Sequence, residues 1–548
     1  MRKKKKHKRA ADAHPIPLPP YGSYVFLGFV ILFFGLIRIR LLSFPLERDE
    51  GEYAYAGQLI LRGLAPYQLC YTMKLPGTAA AYALFMAVFG QTSTGVHLGL
   101  LFVNSAAIVC VYFLAERLFG KLGGVVASAS FAFLSLLPSV YGFAGHATQF
   151  VVLPAAGGIL LLLKAIESKK LSQFFWSGVL LGLAVLMKHP GILFLLFGIF
   201  WLAWSHWTPP RDWRRLTAQA ATLLSGSVVP FALTCLILLK AGVLHKFWFW
   251  TFAYARQYGT VQTLSQGLND LWTTGLLVVS SAALIWAIAA VGLGLMLWDS
   301  KTRSHFPFAA GFLFFSFAAV CPGLYFRNHY FVLMLPAVAL LCAGAVTAST
   351  NLLRGSAAAQ KWAVVPVVLF LLALGVSILH EEEFFFEMNP VAASRKYYSV
   401  NPFVEALEIS DFLRAHSSAE DRVAVVGSEP EIYFYSQRLS ATGYVYMYPL
   451  MEPQPYASTM QKEMIAEIEA THPRFLVMVD DPLSWLHRDE SDPTIILWFT
   501  KYAQAGYHLV GLADMLKDGT EYHWADAATY QPRSPFRVFV YERSSAAP

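Results

Sequence analysis

Long apolar runs separated by short polar segments fill roughly the first two thirds of the chain. A bilayer core about 30 Å thick is crossed by about 20 apolar helical residues, and the runs approach that length. They predict spans at 24–41, 95–117, 121–138, 148–165, 173–188, 190–206, 216–240, 270–297, 306–321, 329–349 and 362–380. The pattern therefore predicts a multi-span α-helical membrane protein with about 11 spans.

One apolar run, Thr78–Phe89, does not fit this series. It lies between Pro76-Gly77 and Gly90 and is too short to cross a bilayer. A segment of this length is typical of an interfacial or re-entrant helix. We therefore predict that it stays on one side of the membrane.

The charged residues between the spans support this assignment. With the N-terminus inside, every predicted inner loop carries at least two cations, as the positive-inside rule expects. These cations are Arg117, Lys121, Lys169, Lys170, Arg211, Arg214, Arg215, Lys301, Arg303, Arg354 and Lys361. The pattern predicts a bacterial-type inner (plasma) membrane protein with a cytoplasmic N-terminus and an extracytoplasmic C-terminal part.

Composition agrees with a membrane protein, because 56% of the residues are hydrophobic and only 14% are charged. The net charge of +7 comes from residues 1–9, which hold seven cations and no acid. Such a block can bind nucleic acid, but beside a span it is better explained as a cytoplasmic anchor. We therefore predict a basic, Pro-rich tail at 1–23, contact with membrane lipids and no nucleic-acid partner. The five cysteines are scattered without a CxxC pair, so neither a zinc site nor a disulfide framework is supported.

Polar composition becomes ordinary from about residue 381. Helical periodicity at 403–416 and 460–470 alternates with strand patterns at 422–427, 475–479, 507–509 and 536–541. This alternation predicts a small C-terminal α/β domain. The predicted organisation is a transmembrane domain at 24–380, with its first outer loop at 42–94, followed by an extracytoplasmic domain at 381–548. The second domain carries no nucleotide-binding motif.

Three acids crowd into Asp49-Glu50-Gly51-Glu52, directly after the first span. A carboxylate at the membrane surface can remove a proton from a hydroxyl nucleophile, bind a metal or hold an amine. Acids are also common in the first turn of a helix, where they interact favourably with the positive end of the helix dipole. Both interpretations of Asp49 and Glu50 are open at this point.

The predicted outer segments also contain cations that the topology rule does not explain, and a shared anionic ligand would account for them. Lys188 lies at a turn between two apolar runs, where a charge is costly unless it has a function; snorkelling to the surface is the alternative. Arg327 and His329 are either anion ligands or simple interface residues. For Arg256, an interfacial aromatic belt is the preferred explanation.

The order of several motifs resembles the first outer loop of the GT-C glycosyltransferases that use polyprenyl-phosphate sugars. This group includes the protein O-mannosyltransferases, the lipid A aminoarabinose transferase and their bacterial relatives. The matching elements are Asp49-Glu50-Gly51-Glu52-Tyr53, Gly63-x-x-Pro66-Tyr67, Lys74-Leu75-Pro76-Gly77, Lys188-His189-Pro190-Gly191 and Arg327-Asn328-His329-Tyr330.

The resemblance implies an inverting transfer of a sugar from a polyprenyl-phosphate donor to a lipid, glycan or protein acceptor. It implies that Asp49 is the catalytic base and that Glu50 supports it by binding metal, acceptor or a neighbouring loop. Lys74 is implied to face the lipid phosphate, and Mg²⁺ or Mn²⁺ is an open cofactor. The other implied substrate-binding residues are Tyr53, Lys188, His189, Arg327 and His329.

The sequence departs from the family pattern at two places. Lys74-Leu75-Pro76-Gly77 replaces the commoner Lys-Pro-Pro, and the next outer loop has His146 where some relatives have a second acid. His146 is either a replacement base or ligand, or a solvated or capping residue. A secondary transporter is a rival class, but it predicts internal repeats that the sequence lacks. A lipid-carrier flippase without catalysis is the second alternative.

Overall fold

The computed structural model describes residues 21–207 and 212–544. The basic block at 1–9, the Pro-rich run at 15–20 and the inner-loop Arg211 lie outside the described residues. The N-terminal part is almost entirely helical. Its α-helices are α1 (Gly22–Arg40), α2 (Arg48–Leu61), α3 (Gly77–Phe89), α4 (Ser93–Leu134), α5 (Ala147–Ser168), α6 (Leu171–Met187), α7 (Ile192–Ser205), α8 (Trp213–Lys240), α9 (Leu244–Trp248), α10 (Ala255–Tyr258), α11 (Leu264–Ser280), α12 (Ala283–Trp298), α13 (Phe306–Val320), α14 (Leu335–Gly355) and α15 (Val365–His380).

Six described helical segments are long and apolar enough to cross a bilayer, or seven if one bent pair counts as a single span. Every predicted span lies largely in helical residues, although several helices are shorter than a full crossing. The two spans predicted at 95–117 and 121–138 both lie in α4, which breaks at Gly120, where φ is +77°. The short run predicted to be interfacial forms α3, whose 13 residues extend about 20 Å at 1.5 Å per residue.

The run predicted as one span at 270–297 is not one continuous helix. The run forms two helices, α11 and α12, bent by 102°. The break falls at a Ser280-Ser281 pair whose hydroxyls donate to the carbonyls of Leu277 and Val278. Serine pairs of this kind compete with backbone hydrogen bonding and are frequent where helices kink. The Ser281 hydroxyl also lies 2.7 Å from that of Ser139, which connects the bend to the loop between α4 and α5.

The C-terminal domain contains a six-stranded mixed sheet in the order β2-β1-β3-β6-β4-β5. Strands β1, β2 and β3 are parallel, and the other pairings are antiparallel. The predicted small α/β domain is therefore present, with two short strands, β2 and β5, that the sequence did not suggest. Its elements are α16 (Pro390–Tyr398), α17 (Glu405–Ala415), β1 (Arg422–Val426), α18 (Glu431–Ser436), β2 (Leu439–Ser440), α19 (Tyr448–Met451), α20 (Ala457–Thr471), β3 (Phe475–Asp480), α21 (Pro482–Trp485), α22 (Thr494–Gly506), β4 (Tyr507–Leu516), β5 (Gly519–His523) and β6 (Arg537–Arg543).

The C-terminal domain shares a hydrophobic core with residues 42–94, the segment predicted to be the first outer loop. Leu46, Tyr55 and Leu59 from that loop are buried in one cluster with Val423 and Val425 of β1. Packing is therefore continuous between α2 and the sheet, and this contact holds the start of α2 beneath the C-terminal domain.

Candidate active site

A cavity of about 420 Å³ opens where the helical part meets the C-terminal domain. Every predicted outer segment contributes to its wall, represented by Asp49, Ala147, Lys188, Trp250 and Arg327. Residues from the C-terminal domain complete the wall. Segments that the charge pattern assigned to one side of the membrane thus come together around one space.

Asp49 lies in the first turn of α2, which Glu47 caps by accepting a hydrogen bond from the Glu50 amide at 2.9 Å. The Asp49 side chain is 21% exposed and faces the cavity. Its Oδ1 accepts a hydrogen bond from Lys74 Nζ at 2.6 Å and lies 3.3 Å from the Tyr446 hydroxyl. The predicted base is therefore open to a ligand in the cavity.

Lys74 is held by two carboxylates. Besides Asp49, its ammonium donates to Glu52 Oε2 at 2.5 Å, and it lies 4.5 Å from the centre of the Tyr53 ring. Lys74 lines the cavity, as does Tyr53. However, the carboxylates of Asp49 and Glu52 compensate the charge of Lys74, so in this geometry Lys74 mainly holds Asp49.

Electrostatics keep Asp49 ionised. Burial alone would raise the pKa of Asp49, but Lys74 and His146 outweigh it and hold this pKa well below its usual range. Burial dominates for Glu52, whose pKa is raised although Lys74 opposes the shift. The two acids bound to Lys74 therefore differ in pKa, and Asp49 is the more acidic of the two.

Glu50 does not line the cavity. Its side chain is fully buried, and its Oε1 accepts a hydrogen bond from the Gly145 amide at 2.6 Å and lies 3.0 Å from His97 Nε2. Of the supporting roles that the resemblance allows, this geometry matches contact with a neighbouring loop. Gly145 directly precedes His146, so Glu50 helps to place that histidine.

Lys188 and His189 form the turn between α6 and α7, and both line the cavity. The Lys188 ammonium lies 4.0 Å from the centre of the Tyr330 ring. Burial lowers the pKa of Lys188 to about 7. The charges of Lys74 and Arg327 also lower this pKa, whereas the charge of Asp49 opposes the shift. His189 Nε2 lies 3.1 Å from the Thr251 carbonyl, which orients its ring.

Arg327 and His329 enter the cavity from the segment that precedes α14. The Arg327 guanidinium lies 5.5 Å from the centre of the Tyr325 ring, which stacks on Tyr258. In the described part of the chain, neither Arg327 nor Lys188 forms an ion pair with a carboxylate. These two cations therefore offer uncompensated charge to an anion.

Asp49, His146 and His329 form a group that could hold a metal ion. One ligand atom from each lies within 4.8 Å of the others. The two imidazoles stack at 4.0 Å, and both ring nitrogens of the buried His146 lack a hydrogen-bond partner in the described structure. One carboxylate and two imidazoles suit Zn²⁺ or Mn²⁺ better than Mg²⁺, which prefers oxygen ligands.

Most of the cavity lining was not among the predicted site residues, and neither was His146 of the possible metal group. The unpredicted residues nearest to Asp49 and Lys74 include Glu52, His146 and Tyr446, with Tyr448 also in the lining. Glu52 belongs to the acid cluster that signalled the site, and its helical spacing from Asp49 was a usable sign. His146 was considered as a substitute for an acid. The tyrosine-rich segment was visible in the sequence, but nothing linked it to the membrane part.

Solved structures of two other proteins share the fold of this chain. ArnT from Cupriavidus metallidurans bound to undecaprenyl phosphate matches over 97% of this chain and 100% of that chain, with 14% identity and a TM-score of 0.60. Oligosaccharyltransferase AglB from Archaeoglobus fulgidus, in complex with an inhibitory peptide and a dolichol-phosphate, matches over 96% and 77%, with 13% identity and a TM-score of 0.51. The chain is thus a multi-pass membrane protein with the GT-C glycosyltransferase fold, and the predicted fold class is confirmed.

A family model also matches part of the sequence. The family model for dolichyl-phosphate-mannose-protein mannosyltransferases matches residues 74–233, which run from Lys74 into α8. The predicted resemblance is thereby confirmed. The comparison with curated protein sequences gives no significant match. A structure of an Archaeoglobus fulgidus oligosaccharyltransferase in complex with Zn and sulfate is similar over 90% of this chain and 73% of that chain, with 13% identity and a TM-score of 0.50.

Proposed function

We propose that the protein is a membrane glycosyltransferase that moves a sugar from a polyprenyl-phosphate donor to an acceptor at the outer membrane face. One observation carries the proposal: an ionised carboxylate, Asp49, shares a cavity with two cations, Lys188 and Arg327, that have no carboxylate partner in the described structure. This is the charge pattern that an acceptor hydroxyl and a leaving phosphate require. The solved GT-C structures with undecaprenyl phosphate and dolichol-phosphate support a lipid-phosphate donor.

In the proposed reaction, Asp49 removes the proton of the acceptor hydroxyl. The resulting oxygen attacks the anomeric carbon, and the bond from that carbon to the phosphate oxygen breaks with its electrons leaving on the phosphate. Attack from the face opposite the phosphate inverts the anomeric centre. No covalent sugar–enzyme intermediate is required.

The phosphate is assigned to Lys188 and Arg327, with His189 and Tyr330 nearby. Cations that are already in place stabilise the charge that develops on a leaving group, because they need no reorganisation during the reaction. Lys74 would act mainly on Asp49, by keeping it ionised until the acceptor binds. This assignment differs from the resemblance, which implied that Lys74 faces the lipid phosphate.

A divalent cation held by Asp49, His146 and His329 is compatible with the proposal. Such an ion would supply Lewis-acid stabilisation of negative charge beside the sugar. Asp49 and the two histidines would orient it, and Glu50 would help by fixing the loop that carries His146. The observation that supports a site is the buried His146 ring, whose nitrogens make no hydrogen bond within the described residues while Nδ1 lies 3.7 Å from Asp49 Oδ2 and 3.5 Å from Glu47 Oε1.

The experiment that tests the function is a transfer assay with the purified full-length protein in lipid nanodiscs. The donors are radiolabelled undecaprenyl-phosphate hexoses and pentoses, and the acceptors are envelope lipids, glycans and peptides. We expect label to move to one acceptor class with release of undecaprenyl phosphate. Movement of intact donor across proteoliposome membranes without sugar release would instead support the flippase alternative.

Binding of the lipid phosphate should depend on pH through Lys188. With a pKa of about 7, Lys188 is mostly an ammonium below neutrality and mostly neutral above it. Undecaprenyl phosphate should therefore bind more weakly as the pH rises above 7, by about 10-fold per pH unit at most. Calorimetric titration of the wild type between pH 6 and pH 9 measures this dependence.

Lys188→Arg is the matched control for the pH series, because a guanidinium stays charged throughout the range. It experiences the same ionisation of undecaprenyl phosphate as the wild type. The difference between the two curves therefore belongs to Lys188. Parallel curves would contradict the assignment of Lys188 to the phosphate.

Removal of His146 should weaken metal binding. We expect His146→Ala to lose Mn²⁺ or Zn²⁺ affinity by more than about 10-fold, since a ligand is lost. Elemental analysis after dialysis and titration of the metal-free protein measure the change. His189→Ala removes another cavity histidine and should leave metal affinity unchanged; an equal loss in both variants would argue against the site.

A further inference from the structure

The C-terminal domain holds the residue next to the proposed base. Arg48 directly precedes Asp49, but it does not line the cavity, and its guanidinium is bound by residues of the C-terminal domain. Nε donates to the Ser428 carbonyl at 2.6 Å, Nη1 to the Tyr448 hydroxyl at 2.9 Å and Nη2 to Glu429 Oε1 at 2.7 Å. All three guanidinium nitrogens are thus bound by the C-terminal domain.

The acceptors of Arg48 are themselves fixed. The Ser484 hydroxyl donates to Glu429 Oε2 at 2.7 Å, and the Ser428 amide donates to that same hydroxyl at 2.8 Å. The Ser428 hydroxyl accepts from the Met447 amide at 2.8 Å. These residues follow the carboxyl ends of the parallel strands β1 and β3, the edge where open α/β sheets usually bind ligands. Here that edge binds Arg48.

A second contact holds the same helical turn. A Cβ added at Gly51 would lie 2.6 Å from the Glu431 backbone nitrogen, so α2 and α18 touch without room for a side chain. Glu429 is fully buried and Arg48 nearly so. A buried ion pair contributes little net stability compared with apolar packing, so stability alone gives no reason for this pair. Its geometry instead fixes where the first turn of α2 lies.

We propose that Glu429 is a positioning residue for sugar transfer, which acts through Arg48 to set the direction in which Asp49 faces the cavity. The inference rests on the proposed function. The C-terminal domain is then part of the catalytic site and not only a cover over it. Neighbouring residues in a helical turn move together, and a displacement of 1 Å at a reacting group costs about 100-fold in rate.

The test is a double-mutant cycle of Glu429→Met, Arg48→Met and the double variant, with kcat and KM measured separately. Each single variant leaves one charge buried without its partner, and each should lower kcat by about 100-fold. KM for the donor that the wild type uses, and affinity for undecaprenyl phosphate, should change less than about threefold. The double variant removes both charges and should be no worse than the poorer single variant. Losses that multiply would overturn the coupling.

Hydrogen exchange supplies a readout that needs no substrate. Glu429→Met should raise amide exchange across residues 47–55, whereas unchanged exchange together with unchanged kcat would overturn the proposal. Arg62→Ala is the control, since Arg62 contacts the C-terminal domain from the far end of α2, at the Gln437 carbonyl. If Glu429→Met does not fold, Glu429→Gln keeps the volume and an acceptor, and it should show a smaller change in the same direction. A wild type without transfer contradicts the proposed function, while the exchange comparison still decides whether Glu429 holds the turn.

Discussion

Asp49→Asn should lower the rate of sugar transfer by about 1,000-fold or more, within the range that general-base catalysis contributes. The substitution keeps the size of the side chain and removes its ability to accept a proton. Lys74 retains Glu52 as a partner at 2.5 Å, so the first turn of α2 should keep its place. The measurement is single-turnover transfer from the radiolabelled donor that the wild type uses.

Binding separates loss of the base from loss of the site. Asp49 carries a negative charge near the proposed phosphate position, so Asp49→Asn should bind undecaprenyl phosphate as tightly as the wild type or a little more tightly. Asp411→Asn is a matched control on the exposed side of α17, where Arg414 is the ion-pair partner of Asp411 among the described residues. Turnover of Asp49→Asn near the wild-type rate would contradict the base assignment.

The acid cluster could be predicted because charge is scarce around it. What the sequence did not show was which acid faces the cavity with Asp49. Residues three apart on a helix share a face, so Asp49 and Glu52 both reach Lys74, while Glu50 points toward His97 and Gly145. Helical spacing applied to this motif would have identified Glu52 as a second cavity residue beside Asp49.

Long-range contacts set the limit of the sequence interpretation. Tyr446 is 397 positions from Asp49, and Glu429 is 381 positions from Arg48. Local periodicity predicted the strands and helices of the C-terminal domain, but it contains no information about what their ends touch. The charge pattern of the loops was more informative about long-range contacts than local periodicity, because the positive-inside rule relates all the loops to one another. It grouped the segments that surround the cavity.

The bend between α11 and α12 shows a different limit. Hydropathy averages over a window, so the run at 270–297 looked continuous. Two adjacent serines change hydropathy little, yet their hydroxyls bond to backbone carbonyls one turn earlier. Competition between serine hydroxyls and the backbone for hydrogen bonds depends on local geometry, which a hydropathy average cannot detect.

Arg327→Gln should lower kcat/KM by about 100-fold, the usual effect of removing one preorganised donor from a developing negative charge. Arg327 makes no ion pair within the described residues, so the substitution leaves no carboxylate without its partner. Affinity for undecaprenyl phosphate should fall by about 10- to 100-fold, which corresponds to 1.5–3 kcal/mol for a hydrogen bond to a charged group. Transfer kinetics and calorimetric titration measure the two effects.

Arg256→Gln is the matched control for Arg327→Gln, because Arg256 also lines the cavity but is exposed and belongs to the aromatic segment at 247–258. We expect its effect on both measurements to stay below about threefold, as for a surface charge in water. Added salt should weaken phosphate binding less in Arg327→Gln than in the wild type, since one charge contact is missing. Equal losses in the two variants would mean that the phosphate is held by the overall positive charge of the cavity. A loss only in Arg256→Gln would move the phosphate site to the outer rim, away from Asp49, and the attack geometry proposed above would then fail.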